Sequence, residues 1–155
     1  MKITEIRSGI LSVPLRVPFK TALRTVNSVE DVILEIHTDT GAVGYGEAPP
    51  TGAITGDTTG AIVGAIRDHI AKTLIGRDVE EFEDLCIALD KCVVKNSSAK
   101  AAADMALWDL YGQLYNIPVY KLMGGAKKSI TTDITISVNE PDEMVRDAIK
   151  AIERG

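Results

Sequence analysis

Thiols are scarce: among 155 residues only Cys86 and Cys92 carry one. Both fall in one expected helix on different faces, too far round for an easy disulfide, so they read as core thiols of a reducing cytoplasm. No zinc-type cysteine spacing exists. Histidine is limited to His37, on an expected strand, and His69, on an expected helix. Each reads as structural rather than as a ligand. No apolar run is long enough to span a bilayer, and the start, MKITEIRSG, has no h-region, so neither a membrane span nor a secretory signal is expected. Positive charge is in deficit, at 17 Lys and Arg against 22 Asp and Glu, for a net charge of −5. That balance argues against a nucleic-acid partner, since phosphate binding wants a basic surface. There is no Lys-x-Lys pair, no Ser/His/Asp arrangement, no metal-ligand cluster, no internal repeat and no charge block. What remains is 45% hydrophobic and 25% charged, the balance of an ordinary globular protein.

The longest coherent stretch runs from Ser98 to Gly125. Ala99, Ala103, Ala106, Leu110, Leu114 and Ile117 recur at helical spacing on one side. Ala101, Met105, Trp108 and Tyr115 cover another, which predicts a helix buried on most sides. Ser97 or Ser98 offers an N-cap hydroxyl, and Asn116 before Pro118 offers a stop. Before this spine, residues 2–17 read as a strand with Pro14 at an edge or bulge. Residues 29–38 alternate, with Val32, Leu34 and Ile36 on one face. Asp39-Thr40-Gly41 is a turn into a third strand, 42–48. Two helices follow over 58–75, with Ile62, Ile66, Ile70 and Leu74 as its stripe, and 79–94, with Phe82, Leu85, Leu89 and Val93. Strands followed by helices describe an α+β domain built on an antiparallel three-stranded meander.

After Gly125 the pattern changes. Ile130–Val138 is a β-branched run, hence an expected strand. Asn139, Pro141 and the acids behind it open a helix with Val145, Ala148, Ile149 and Ile152 as its apolar stripe. One strand–helix unit is what begins a parallel α/β sheet or barrel, which needs about 250 residues when complete. The expected division is therefore 1–125 and 126–155, the second part being the opening of a larger domain. Its unpaired strand edge, 130–138, predicts association through that edge if the chain is expressed alone.

Two connections exceed an ordinary turn. Pro18–Ser28 joins strands that a hairpin would link in about two to five residues. It sets Lys20, Thr21, Arg24 and Thr25 beside Phe19 and Leu23. A guanidinium with hydroxyls over an apolar patch suits a carboxylate ligand; a solvated loop with an ordinary arginine is the plainer reading of the spacing. Pro49–Gly60 is either a flap or a capped connection. Gly56-Asp57-Thr58 lacks the lysine of a phosphate loop, and Asp57 would repel phosphate. Glu47 ends a strand where a basic partner would suit it. Asp104 and Asp109 point in different directions along the spine, and Asp109 is expected to accept hydrogen bonds among apolar neighbours. Thr135 and Ser137 share a face of the last expected strand, where a barrel would present residues to a ligand.

Several segments together carry a family resemblance. They are Pro18–Thr25 (PFKTALRT), Gly41–Pro49 (GAVGYGEAP), Ile54-Thr55-Gly56-Asp57, Ala101–Leu110 (AAADMALWDL), Pro118–Gly125 (PVYKLMGG) and Thr132–Val138 (TDITISV). The chain resembles, over essentially its whole length, the N-terminal part of the enolase superfamily, in the branch of muconate lactonising enzymes and dipeptide epimerases. The Arg24 segment, the Ile-Thr-Gly-Asp loop and the Thr135 strand look most like an L-Ala-D/L-Glu-type dipeptide epimerase. The resemblance implies an α+β capping domain joined to the start of a (β/α) barrel, and a Mg²⁺-assisted 1,1-proton transfer at the α-carbon of the second residue of a dipeptide. It implies that Arg24 reaches the substrate side chain and that Thr135 lines the pocket, with Phe19, Ile54 and Thr55 as further substrate-binding candidates. It implies a cytoplasmic homo-oligomer acting on a small dipeptide. The family's catalytic lysines and magnesium carboxylates match nothing here and are expected beyond Gly155, so the 155-residue chain alone is expected to be inactive. A cycloisomerase, an o-succinylbenzoate synthase, an N-acylamino acid racemase or a non-catalytic binding or oligomerisation module stand as alternatives.

Overall fold

The computed structural model describes residues 1–125 and 129–155. The chain divides into two compact units, Met1–Leu11 with Glu30–Ala126, and Ser12–Val29 with Lys127–Gly155. Three strands, β1 (Ile3–Lys20), β2 (Thr25–Thr38) and β3 (Val43–Ala48), lie in the order β1-β2-β3. β2 and β3 pair antiparallel with Val32 opposite Ala48, Ile33 opposite Glu47, Glu35 opposite Tyr45 and His37 opposite Val43. Their turn closes with the Thr38 N–H donating to Ala42 O (3.1 Å) and Gly41 at φ 83°, a left-handed conformation that glycine adopts without a Cβ penalty.

In the first unit, the period-2 alternation of β2 does what the sequence implies. Val32, Leu34 and Ile36 are fully buried, facing the helices. The first helical segment holds α1 (Thr59–Ala65), a π-helical turn (Ile66–Ile70) and α2 (Ala71–Leu74) in continuous succession. The π turn has a cause in the sequence. Ile62, Ile66, Ile70 and Leu74 are spaced by four, and a strict four-residue repeat drifts about 40° per step around an α-helix. A turn with i→i+5 bonding takes up more residues per revolution and offsets that drift. All four side chains are at most 2% exposed.

α3 (Phe82–Lys91) is shorter than the expected 79–94; Val79 is buried ahead of it and Cys92 caps it. α4 (Ser97–Tyr115) is the spine. Its N-cap is Asn96 in a left-handed conformation, and no side chain caps it. Neither of the two expected capping serines caps it: Ser97 is the first helical residue, and Ser98 donates to Asp57. Its C-cap is Asn116, also left-handed at φ 53°, as the Asn-x-Pro signal implied. Ala99, Ala102, Ala103, Ala106, Leu107 and Leu110 are buried, but Ala101, Met105, Tyr115 and Ile117 are exposed. The helix is thus buried on one broad face, not on most sides. The sheet and α3 cover the alanine ridge, and nothing among the described residues covers Met105. Trp108, Tyr111 and Phe82 form an aromatic cluster, with Phe82 centred 4.6 Å from Trp108 and 4.4 Å from Tyr111. A short α5 (Val119–Leu122) follows.

The tightest packing is between α4 and β3. A Cβ on Gly46 would stand 1.9 Å from Ala102 O, and one on Gly44 would stand 2.2 Å from Ala106 O. Backbone lies on backbone, and both glycines are required by that approach. At Val43 and Tyr45 the outer edge of β3 is closed by the same helix: the Tyr45 N–H donates to Asp109 Oδ2 (3.1 Å), and Gln113 Nε2 donates to Val43 O (2.8 Å). Asp109 is therefore structural, as its surroundings implied; it occupies an edge that would otherwise invite another strand.

In the second unit, α6 (Pro141–Glu153) begins with proline at its N-terminus and Asp142 and Glu143 in its first turn. Glu140, not Asn139, is its N-cap, without a side-chain hydrogen bond. The expected strand over 130–138 is not formed. A strand exists by its ladder to a neighbour, and among the described residues the segment's backbone tie is from the Val138 N–H to Lys20 O (2.9 Å). The proposed boundary at 125/126 abuts residues 126–128, which lie outside the described residues. No helix of the described residues is long and apolar enough to cross a membrane.

Candidate functional site

The segment read as a long loop, Pro18–Ser28, is mostly strand. β1 runs through Lys20 and β2 resumes at Thr25, which leaves a tight turn over residues 21–24. Thr21 builds that turn. Its N–H donates to Arg24 O (2.9 Å), and its Oγ1 accepts from the Arg24 N–H (3.2 Å) and the Leu23 N–H (3.3 Å). A threonine that folds its hydroxyl onto the following backbone is a turn signal legible in the sequence, and it was missed in reading eleven residues as a loop. The result fixes Arg24 at the end of an extended hairpin rather than on a wandering connection. Arg24 and Leu23 are exposed, Leu23 by 83%, and Phe19 is half-buried.

Lower on the hairpin, Ser28 Oγ donates to Val13 O (3.1 Å) and meets Ser12 Oγ at 3.0 Å, so hydroxyls bridge the two strands. At its end, Lys20 O accepts from the Val138 N–H at 2.9 Å, and the Lys20 N–H reaches Ser137 Oγ at 3.5 Å. The second unit therefore brings the Phe19–Arg24 turn to the segment of Thr135. Thr135 is exposed and shares the alternation of Ser137, whose hydroxyl is turned to Lys20.

Ile54 and Thr55 belong to the first unit. The Ile54 N–H donates to Thr51 O (2.8 Å), Thr55 Oγ1 lies 3.0 Å from Thr51 Oγ1, and the Asp57 N–H donates to Thr55 Oγ1 (3.3 Å). Thr58 caps α1, accepting from the Ala61 N–H at 3.3 Å, and Asp57 accepts from Ser98. Of the two readings of Pro49–Gly60, the capped connection is the one observed. Thr55 is spent on the loop's own bonds, while Ile54 is 71% exposed and available to a ligand.

Other polar candidates sort out by their partners. His37 Nε2 lies 2.9 Å from Glu35 Oε2 on the outer sheet face, a structural pair. Cys86 and Cys92 are free and half-buried; burial pushes both thiols up, away from reactivity. Asp104 is pushed up by burial as well. Glu47 departs from expectation: its neighbour is another acid, not a base. Its side chain shares a hydrogen bond with Asp31, which raises its pKa; repulsion between the two charges and desolvation add to the rise. Asp31 went unremarked because alternation reports which face a residue takes, not who meets it there.

The magnesium implied by the resemblance was tested against the side chains present. Among the described residues, no three His, Cys, Asp or Glu come together in a way that would hold a metal ion. The described residues do not fit a magnesium site.

An antiparallel three-stranded sheet backed by a glycine-seated helix, with a polar hairpin turned to the segment that follows, defines an α+β capping domain. The chain matches the family described as mandelate racemase / muconate lactonizing enzyme, N-terminal domain, over residues 4–124, and it belongs to that family of the enolase superfamily. Over all 155 residues it is 56% identical to the L-Ala-D/L-Glu epimerase of Clostridium acetobutylicum, covering 43% of that protein. It is 44% identical to the L-Ala-D/L-Glu epimerase of Bacillus subtilis, covering 42%. It superposes on a substrate-liganded structure of the Bacillus subtilis enzyme with a TM-score of 0.95, covering 100% of this chain and 43% of that one. A hydrophobic dipeptide epimerase of Enterococcus faecalis is 35% identical over 155 residues, with 44% of its length covered. The chain thus spans less than half the length of the relatives it matches.

Proposed function

We propose that this chain is the substrate-covering part of a dipeptide epimerase, with Arg24 reading an acidic side chain on the second residue of a dipeptide such as L-Ala-L-Glu. The observation that carries the reading is the tie from Lys20 to Ser137 and Val138, which turns the Arg24 hairpin toward the segment of Thr135. A cation held at the end of a two-stranded arm, beside a hydroxyl-bearing segment, suits a carboxylate-bearing ligand. On the first unit, taken by itself, Ile54 is an exposed apolar candidate at 71%. Identity to L-Ala-D/L-Glu epimerases along the whole chain supports the same choice.

On this reading residues 126–155 are the first strand–helix unit of a (β/α) barrel. The α6 stripe supports that assignment: Val145, Ile149 and Ile152 are 58%, 50% and 78% exposed, apolar surface of the kind a barrel helix buries against its sheet. Magnesium accompanies a dipeptide in the related enzyme of Cytophaga hutchinsonii, whose structure is a complex with Mg and D-Ala-L-Val. The proton-transferring lysines and the metal carboxylates are assigned to the part of the relatives that this chain does not span. The chain's own contribution is binding and exclusion of water: the Arg24 guanidinium pairs the substrate carboxylate, and the covering domain keeps the reacting carbon dry.

The test is the Arg24→Ala variant of the complete enzyme, assayed by deuterium exchange at the α-carbon. Loss of a charged hydrogen bond predicts a fall in kcat/KM for L-Ala-L-Glu of about 10- to 100-fold. The rate with an uncharged dipeptide such as L-Ala-L-Leu should change little. Equal losses on both substrates, or none on either, would refute the assignment of Arg24. The 155-residue chain alone, given Mg²⁺ and L-Ala-L-Glu, is expected to show no exchange.

A further inference from the structure

Asp31 sits at the start of the β2–β3 ladder, on the face that also carries Ile33 and Glu35. Glu47 lies opposite Ile33, one diagonal step away on the same face. Asp31 is 9% exposed, and its Oδ1 is buried with no hydrogen-bond donor. Among the described residues neither acid takes part in an ion pair. Two carboxyls in contact, one of them a buried acceptor without a donor, make a site built for a donor that is not there. Beside Glu47 is a depression of about 400 Å³, walled by Ile33, Tyr45, Gly46, Glu47 and Met105. It joins apolar and aromatic surface to Glu47, the exposed member of the acid pair.

We propose that Asp31 and Glu47 bind the guanidinium of an arginine presented by a polypeptide segment, with Tyr45, Ile33 and Met105 covering its alkyl stem. A guanidinium is preferred to an ammonium because it is planar, weakly hydrated and presents several donors in a fork, which two adjacent carboxyls can share. It also stacks on an aromatic ring. A polypeptide is preferred to a free amino acid for two reasons. The α-carboxylate of free arginine would meet Glu47 and Glu35. In addition, the Tyr45 N–H and Val43 O point away from β2 toward α4, so by the two-residue period of a strand the backbone groups of Glu47 point outward too. Among the described residues no hydrogen bond is made to them on that edge, which leaves an N–H and a C=O for a neighbouring main chain.

Other charges at the site are accounted for. Glu35, across from Tyr45, is held by His37 and feels the charge of Arg7 on β1, which is itself paired with Glu5 at 2.8 Å; α4 contributes Met105, which is uncharged. The contact with Asp31 favours the protonated form of Glu47, so below the elevated pKa of Glu47 a proton competes with a cation for the pair. Glu47 is exposed and Asp31 is buried. Binding of a cation therefore releases that proton to solvent.

The probe is N-acetylargininamide, titrated calorimetrically into the full chain in two buffers of different ionisation enthalpy. Binding should release protons, and the apparent affinity should strengthen as pH rises through the elevated pKa of Glu47. Free arginine should bind more weakly than the capped amide. Glu47→Gln, at an exposed position where folding is not at issue, should weaken binding at least about tenfold and abolish the proton release. Asp31→Asn should weaken binding as well where it folds; Glu47→Gln decides the matter where it does not. No binding of the capped amide, unchanged binding in Glu47→Gln, or tighter binding of free arginine would each overturn the proposal.

Discussion

Alanine at position 46 is the sharpest probe of how this domain is assembled. The added Cβ would stand 1.9 Å from Ala102 O, 2.7 Å from Ala102 C and 3.1 Å from Ala102 Cα. These are backbone atoms inside a helix, so no side chain can rotate away. Relief requires α4 to lift by more than an ångström from β3, and α4 is held by its Asp109 and Gln113 bonds to that strand and by the Phe82 cluster behind it. Overpacking costs about 1–3 kcal/mol and occasionally more; with backbone on both sides, the upper end applies. The unfolded chain loses freedom on replacing glycine, which returns about 0.4–1 kcal/mol. The net loss is about 2 kcal/mol or more. For a chain of this size that lowers Tm by roughly 4–8 °C, and it lowers the urea midpoint by about 1 M. Unfolding is read by the fluorescence of Trp108, the one tryptophan in the sequence, which lies in the aromatic cluster and so reports this packing. The control is Gly64→Ala in α1, where nothing lies within 4 Å of the added atom; there alanine should stabilise by about 0.5–1 kcal/mol. If Gly46→Ala unfolds at the wild-type midpoint, the backbone approach is not what holds α4 to the sheet.

Asp109→Ala leaves the Tyr45 N–H on an open strand edge and should cost about 1 kcal/mol; Asp109→Asn keeps an acceptor and should recover most of it, as read by urea midpoints. At the spine's C-cap, Asn116→Ala places a Cβ-bearing residue without a compensating side chain at φ 53° and should cost about 1 kcal/mol, whereas Asn116→Gly should be neutral or slightly stabilising by the same assay. Glu47 holds its proton more tightly when folded. Its contribution is therefore present below the ordinary glutamate pKa and is lost as pH rises through the elevated one. Glu47→Gln removes the repulsion with Asp31, so the variant should be more stable than wild type at pH 7. That advantage should vanish in thermal melts below about pH 4; an advantage equal at both pH values would contradict the shared proton.

Much of the fold was legible because the partners that make each pattern meaningful lie within the chain. Val32, Leu34 and Ile36 alternate and are buried because helices cover them. The four-residue repeat of Ile62, Ile66, Ile70 and Leu74 marked the helix but did not, in the sequence, announce the π turn that its drift produces. The spine's C-terminal boundary was legible from Asn116 and Pro118, its N-cap was not, and its burial was overread: alanine is apolar in every environment, so periodicity could not separate Ala102, pressed on Gly46, from Ala101, which is exposed. The hairpin of residues 18–28 was hidden because a single hydroxyl, on Thr21, converts polar residues that look like loop into strand ends and a turn.

Residues 130–138 carry strand propensity, yet propensity is a preference that a ladder partner must complete, and here one backbone bond to Lys20 stands in for it. The same distinction separates the candidate site into what spacing reports and what it does not. Arg24 and Thr135 were identified by resemblance; the spacing alone favoured an ordinary surface arginine. The structure adds that the turn built by Thr21 carries Arg24 on an arm whose end is tied to Ser137 and Val138. Thr21→Val is therefore expected to alter substrate recognition without touching Arg24. With no oxygen to accept from the Leu23 and Arg24 N–H groups, the turn loses its order, and specificity for an acidic dipeptide should fall toward that of Arg24→Ala even though the guanidinium is still present.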